Sequence, residues 1–477
     1  MKTYLRIFIL AASALALALP AMAKPNFIVI FIDDMGYGDI GPFGSKKNET
    51  PHLDRMAKEG MKLTSFYVAS SVCTPSRAAL MTGSYPRRVG LGQGSGHGVL
   101  FPGDPHGLHP NEITLAEMLK NAGYATGCFG KWHLGDQPEF LPTSQGFDEY
   151  YGIPYSNDMW TGLKRWQFPH LPVMRGTKVI DEVKDMDGQA DLCRLFTEEA
   201  VKFIEKNKDK PFFLYLSHYA PHSILNGRPD LVEKYRKKHK PGPSERDRCY
   251  LCQDAGLEGD AGNHWASHHN PHLAAMLESI DDGIGLLAKK LDEFGLAENT
   301  IFIFSSDNGG ELKVTSNAPL RGGKSQLFEG GIRVPLIVRW PKGKVPAGKV
   351  CSQPVVNHDV YPTLLEAAGI KPDPAQKLDG VSTLATWRNP KASPKRKALH
   401  WHYPLDRPHF LGGVSSGAIR EGNWKLIEYF DSARPSKYEL FDLAKDPSEK
   451  RDLAKDQPKR VRDLQAKLAI WREKTGA

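Results

Sequence analysis

Asp33-Asp34 directly follows the apolar run FIVIFI, and Asp307-Asn308 follows IFIF and two serines. Together they offer hard oxygen ligands and no soft ones, a set that suits calcium, or magnesium less comfortably, better than zinc or copper. A cation held there would neutralise an anionic substrate oxygen and orient a nucleophile. Lys131-Trp132-His133 places two ionisable groups two residues apart after a short strand, so both point to one side in extended backbone. Lys131 can then meet negative charge while His133 exchanges a proton. His218, His222 and Lys324 are further candidates; alone, each also reads as an ordinary loop or surface residue. In CTPSRAALMTG, Cys73 to Gly83, an exposed-looking turn carries a cysteine, a proline two residues on and an arginine two beyond that. Such a setting fits a reactive position better than a buried structural thiol.

These residues need a scaffold. The non-alternating runs predict strands buried on both faces, as in a parallel sheet. PHLDRMAKEG, NEITLAEMLKNAGY, LCRLFTEEAVKFIEKN and DVYPTLLEAAG read as helices between them. Leu273, Leu277, Ile280, Ile284, Leu287, Leu291 and Phe294 form one apolar helical face. Strands alternating with amphipathic helices predict an α/β domain with a mostly parallel sheet, and ligands gather beyond the carboxyl ends of its strands. Residues 222–271 read as a long polar surface excursion. From about residue 395, SSGAIREGNWKLIEY predicts a hairpin turning at Glu421-Gly422-Asn423, YELFDL another strand, and Val461 to Trp471 a terminal helix. The expected division is a signal peptide at 1–23, a catalytic domain at 24–394 and a smaller antiparallel-sheet subdomain at 395–477.

The first 23 residues combine Lys2 and Arg6, an apolar stretch and Ala21-Met22-Ala23, the layout of a cleavable export signal. The protein is thus expected outside the cytoplasm, periplasmic or extracellular, without a stable membrane span. Lys and Arg total 63 against 55 Asp and Glu, and the excess of +8 is spread thinly. That distribution permits steering of anionic substrates without implying nucleic-acid binding. Six cysteines are too few for a disulfide-built scaffold. Cys249 and Cys252 could be a local disulfide, two free thiols or, with His264 or His268, half of a zinc site.

Cys73-Thr74-Pro75-Ser76-Arg77, with Ala78 to Gly83, resembles the signature of the type I, formylglycine-dependent sulfatases of the alkaline-phosphatase-like superfamily. FIDDMGYGD at 31–39, GKWHLG at 130–135, SDNGG at 306–310 and GGKSQLFEGGIRVP at 322–335 follow in the family's order. The similarity extends from Asn26 to Pro447, and its branch is that of arylsulfatases and N-acetylgalactosamine sulfatases. The resemblance implies that a maturation enzyme converts Cys73 to Cα-formylglycine. It also implies that Asp33, Asp34, Asp307 and Asn308, with modified Cys73 beside them, hold one calcium ion. Arg77 would hold the aldehyde hydrate, and Lys131 and Lys324 would bind sulfate oxygens. His133 would act on the hydrate hydroxyl and His222 at the leaving group, with His218 near the substrate.

The implied reaction is hydrolysis of a sulfate monoester, with a sulfated carbohydrate as the expected substrate. Trp160, Arg165 and His402, in aromatic and basic loop segments, are candidate sugar contacts. The alternatives are an arylsulfatase acting mainly on aryl esters, a phosphomonoesterase or phosphodiesterase on the same core, and a secreted glycan-binding protein retaining a spent enzyme core.

Overall fold

The computed structural model describes residues 24–92, 98–163, 167–238, 270–312, 314–430, 434 and 436–476. The proposed signal at 1–23, the Cys249/Cys252 pair and Arg165 lie outside them.

An 11-stranded mixed sheet dominates the molecule. Its strands are β1 (Asn26–Ile32), β2 (Met61–Tyr67), β3 (Ala125–Lys131), β4 (Glu149–Ile153), β5 (Leu171–Arg175), β6 (Lys178–Val183), β7 (Phe212–Ser217), β8 (Thr300–Ser306), β9 (Arg333–Arg339), β10 (Lys349–Cys351) and β11 (Val355–Val356). The spatial order is β10-β2-β9-β8-β1-β7-β3-β4-β5-β6, with β11 also pairing β2. The central run β8-β1-β7-β3 is parallel throughout. Antiparallel pairing enters through β9 on one side and through β5 and β6 on the other.

β1 explains why its sequence does not alternate. Phe27, Val29 and Phe31 pack into a core shared with Ala78 and Leu80 of the Cys73–Thr82 helix. Ile28, Ile30 and Ile32 face the opposite core, with Leu273, Leu277 and Ile280 of the Pro271–Glu293 helix. Side chains two apart share a face, so a strand covered by helices on both sides is apolar at every position. Truncating Ile28 or Ile30, both fully buried, to alanine costs about 2–5 kcal/mol by analogy with other cores.

A second sheet is antiparallel, ordered β12 (Ala398–Tyr403), β13 (Ser416–Glu421), β14 (Trp424–Tyr429) and β15 (Tyr438–Asp442). Leu464 and Leu468 of the Pro458–Thr475 helix pack on its Ile419, Leu426 and Leu440. Trp401 Nε1 donates to the Val68 carbonyl at 2.7 Å, docking this sheet beside the large one. Lys425 enters the same junction, 3.0 Å from Glu329 and 2.8 Å from Glu449, with all three side chains fully buried.

Three local expectations change. The Cys73 segment is no exposed turn, for the helix begins at Cys73 itself and every residue to Thr82 is buried. Pro75 is tolerated because first-turn N–H groups have no intrahelical acceptor, and Gly83 ends the helix at φ 70°. The excursion after His222 starts in the core, with Ile224 and Leu225 fully buried, and forms a helix over Pro229–Lys238. Its residues 239–269 lie outside the described set. Finally, His400 to Tyr403 belong to strand β12 rather than to a loop.

Candidate active site

Adjacent parallel strands bring distant residues together. Asp33 and Asp34 follow β1, Asp307 and Asn308 follow β8, His218 follows β7, and Lys131 is the last residue of β3. Strands β8, β1, β7 and β3 are consecutive in the sheet, so their carboxyl ends frame one crevice. Two non-glycine residues there adopt left-handed backbone, Asp34 at φ 59° and His133 at φ 60°. Such conformations cost on the order of 1–3 kcal/mol and persist where surrounding structure dictates them.

The acidic residues form a connected nest. The Asp34 amide donates to Asp307 Oδ1 at 3.2 Å, and Asn308 Nδ2 donates to Asp34 Oδ1 at 2.6 Å. Ligand atoms of Asp33, Cys73 and Asp307 lie within 4.8 Å of one another, as do those of Asp33, Asp34 and His222. Asp33 Oδ1 and Asn308 Oδ1 are buried without a hydrogen-bond partner. Orphaned oxygens at this depth are costly unless something satisfies them. A hard cation fits this donor set.

Cations surround the nest. Arg77, fully buried, places Nη2 2.7 Å and Nε 3.0 Å from Asp307 Oδ2. Its Nη1 donates to the Ser217 hydroxyl and, at 3.2 Å, to the Lys131 carbonyl. Lys131 Nζ pairs with Asp33 Oδ2 and donates to Ser156 Oγ at 3.1 Å. Lys324 Nζ lies 2.7 Å from both Asp34 Oδ2 and His222 Nε2. Burial would raise the Asp33 carboxyl, but Lys131, His222, Arg77 and Lys324 hold it well below the usual range. Asp307 moves up to about 7 through burial and the neighbouring Asp33 charge. Burial opposes charge on Lys131 and Lys324, yet Asp33 and Asp34 respectively hold both ammoniums protonated.

Cys73, His133, His222 and Lys324 line one cleft. Burial pushes the Cys73 thiol up to about 11, so at neutral pH it is a poor thiolate. His133 Nε2 sits 2.9 Å from the Leu100 carbonyl, while Nδ1 is buried without a partner. Burial, and then the Lys131 charge, hold this imidazole well below its ordinary pKa. His222 Nδ1 contacts the Ser223 carbonyl, which leaves Nε2 toward Lys324.

Other candidates lie elsewhere. His218 is buried, its ring 6.4 Å from that of Phe196, and it does not line the cleft; burial moves its pKa down to about 3. Trp160 is 5% exposed, with Nε1 donating to the Val183 carbonyl at 2.9 Å. It does not line the cleft, to which its neighbours Asp158, Met159 and Leu163 contribute. His402, on β12, has its ring 5.3 Å from that of Phe430 and does not line the cleft. Sequence reasoning missed Ser156, Ser217, Ser223, Asp158 and Glu311. Only Glu311 carried a signal, because it directly follows SDNGG.

Comparison with known proteins identifies the family. Residues 25–370 match the Sulfatase family, and residues 323–474 match the family described as N-sulphoglucosamine sulphohydrolase, C-terminal. The chain is 37% identical to N-acetylgalactosamine-6-sulfatase of Mus musculus over 395 residues, covering 79% of this chain and 69% of that protein. It is 32% identical to arylsulfatase A of Homo sapiens, covering 92% and 85%. Among solved structures it resembles Ps i-CgsB in complex with k-i-k-neocarrahexaose, with a TM-score of 0.76, 32% identity and coverage of 94% and 92%. It also resembles the PsFucS1 sulfatase from Pseudoalteromonas sp., with a TM-score of 0.75, 27% identity and coverage of 95% and 91%. The chain belongs to the type I sulfatases of the alkaline-phosphatase-like superfamily, sulfuric ester hydrolases with a mixed α/β core.

Proposed function

We propose that this protein is an exported, calcium-dependent sulfatase that releases sulfate from a sulfated carbohydrate after Cys73 is converted to Cα-formylglycine by a maturation enzyme. The observation that carries the reading is the position of Cys73, at the start of a buried helix and in one cleft with His133, His222 and Lys324. The similarity to N-acetylgalactosamine-6-sulfatase and to a protein solved with k-i-k-neocarrahexaose supports a sugar substrate. Phe101 and Phe168, stacked at 6.0 Å on the cleft wall, suit the apolar face of a pyranose. Among the described residues no helix is long and apolar enough to cross a membrane.

A sulfate monoester is already anionic, so catalysis must compensate charge as an oxygen approaches sulfur. Asp33, Asp34, Asp307 and Asn308 would hold the calcium ion, which supplies Lewis-acid charge to a sulfate oxygen. The aldehyde form of residue 73, once hydrated, supplies an oxygen nucleophile and a second hydroxyl that allows sulfate to leave. Arg77 fixes the carboxylate geometry and adds positive charge behind the nucleophile. Lys131 and Lys324 provide ammonium charge for the other sulfate oxygens. With its Nε2–H held by the Leu100 carbonyl, neutral His133 offers Nδ1 as the proton acceptor for a residue-73 hydroxyl. Lys324 and His222, 2.7 Å apart, hold a proton between them and pass it to the departing alcohol oxygen.

A desulfation screen tests this reading. Defined glycosaminoglycan and algal oligosaccharides, with 4-nitrophenyl sulfate alongside, are followed by free sulfate and by the sulfate position in the product. Release from a sugar supports the assignment, whereas activity confined to the aryl ester removes the carbohydrate substrate and leaves the sulfatase chemistry.

A further inference from the structure

Two acidic side chains stand in the cleft without a part in sulfate chemistry. Glu311 is only 4% exposed, yet it lines the cleft beside His222 and Lys324. One of its carboxylate oxygens, Oε2, accepts from Ser223 Oγ at 2.7 Å. Asp158 lines the same wall, and its Oδ1 is buried with no hydrogen-bond partner. Burial raises the Glu311 carboxyl to about 7 against the Ser223 hydrogen bond and the Lys324 charge, and the Asp34 and Asp158 charges add to the rise. The two carboxylates are unfavourable neighbours for the anion this cleft must admit, and an unsatisfied carboxylate oxygen is expensive to bury. Around them the cleft is apolar. Phe101 and Phe168 stack, Val99, Met159 and Leu411 contribute aliphatic surface, and Phe410, 57% exposed, stands at the mouth.

Carboxylates accept hydrogen bonds and donate none when ionised. Lining one cleft with Lys324 and with apolar surface, they match a ring that offers hydroxyl or amide N–H donors at its edge and C–H groups on its face. When ionised they also repel any second anionic group brought to that edge.

We propose that Asp158 and Glu311 are specificity-determining residues that accept hydrogen bonds from the ring carrying the scissile sulfate and reject a second sulfate or a carboxylate on that ring. This rests on the carbohydrate reading above and narrows it to singly sulfated, otherwise neutral sugars.

The test compares matched singly and doubly O-sulfated galactose, N-acetylgalactosamine and N-acetylglucosamine, with 4-nitrophenyl sulfate as the sugar-free probe. It uses the matured full-length enzyme and its Glu311→Gln, Asp158→Asn and doubly substituted forms. The amides preserve shape and an acceptor oxygen, Glu311→Gln keeps the Ser223 bond, and Asp158, only partly buried, gives an independent variant with little risk to folding. Thermal unfolding verifies that each variant is folded. The wild type should favour the singly sulfated member of a pair by about tenfold or more in kcat/KM, the scale of one unfavourable charge contact. Each substitution should reduce that preference, and the double variant should bring it near parity, chiefly through a lower KM for the doubly sulfated sugar. A preference that is absent in the wild type, or unmoved by the substitutions, overturns this proposal while sugar desulfation stands. Turnover of 4-nitrophenyl sulfate alone removes the carbohydrate reading and this proposal with it.

Discussion

His133 Nε2 lies 2.9 Å from the Leu100 carbonyl oxygen, a contact that sets which imidazole nitrogen is free. The carbonyl can only accept, so Nε2 carries the hydrogen and Nδ1, buried without a partner, keeps its lone pair. In the same cleft, His222 Nδ1 meets the Ser223 carbonyl and its Nε2 lies against the Lys324 ammonium. In the proposed reaction one histidine takes a proton and the other shares in giving one.

His133→Ala should therefore slow turnover of all sulfate esters alike, by about 10²–10⁴-fold, the usual span for a lost acid–base group. His222→Ala should fall by a similar factor on sugar sulfates, whose alkoxide leaving groups are poor, and far less on 4-nitrophenyl sulfate. Steady-state kcat/KM on both substrate types reads the difference. Equal losses in the His222 variant would remove its leaving-group role.

Calcium should bind in a 1:1 ratio. Elemental analysis and thermal unfolding check this without reference to activity. Calcium at about 100 times its dissociation constant should stabilise the chelator-stripped protein by about 2.7 kcal/mol. Asp33→Asn and Asp307→Asn should lose most of that increment. Two zinc ions per chain, required for turnover, would contradict the oxygen-ligand assignment and favour a phosphatase.

Lys425 should be a stability residue without a catalytic role. Burial would raise Glu329, but Lys425, Arg333 and Arg420 outweigh it and hold the carboxyl at about 2. Lys425→Met takes the ammonium from between Glu329 and Glu449 in the junction between the sheets, leaving Glu329 with Arg333 and Tyr67. Breaking a buried pair in this way costs about 3–5 kcal/mol, measurable by urea unfolding. KM for 4-nitrophenyl sulfate should not change at temperatures where the variant is folded.

Acid should weaken the smaller sheet. Burial, with Arg396 for His400 and Arg87 and Arg472 for His402, brings both imidazoles down to about 4. An unfolded histidine titrates near 6.5, so between these values the unfolded chain binds more protons. Stability present above pH 6.5 is then lost as the pH falls through about 4. Urea unfolding of the wild type and of His400→Gln/His402→Gln at pH 7, 5.5 and 4.5 tests this, the double variant having the shallower decline.

The strands of the site were legible because double-sided burial leaves no polar residue until the strand ends, as in NFIVIFI before Asp33. That β8, β1, β7 and β3 are neighbours was not legible, since the pairing joins residues such as Ile28 and Phe302 across the whole domain. The Cys73 helix was misread as exposed because Arg77 and its hydroxyl-bearing neighbours look like surface. Burial becomes affordable only when Asp307, Ser217 and the Lys131 carbonyl converge on the guanidinium from other strands. Trp160 was chosen for its residue type, yet the Val183 carbonyl satisfies its indole N–H inside the protein. Asp158 carried no local signal, as a lone carboxylate in a polar loop has no pattern.

The central claim is that residue 73 acts as an aldehyde rather than as a thiol. The direct measurement is specific sulfate release plotted against the fraction of residue 73 present as formylglycine. That fraction comes from peptide mass spectrometry of protein co-expressed with graded amounts of a maturation enzyme. Activity should rise in proportion to the aldehyde fraction and extrapolate to zero for the unmodified thiol, whose pKa is raised to about 11 by burial. Full turnover by protein in which residue 73 remains cysteine would contradict the account.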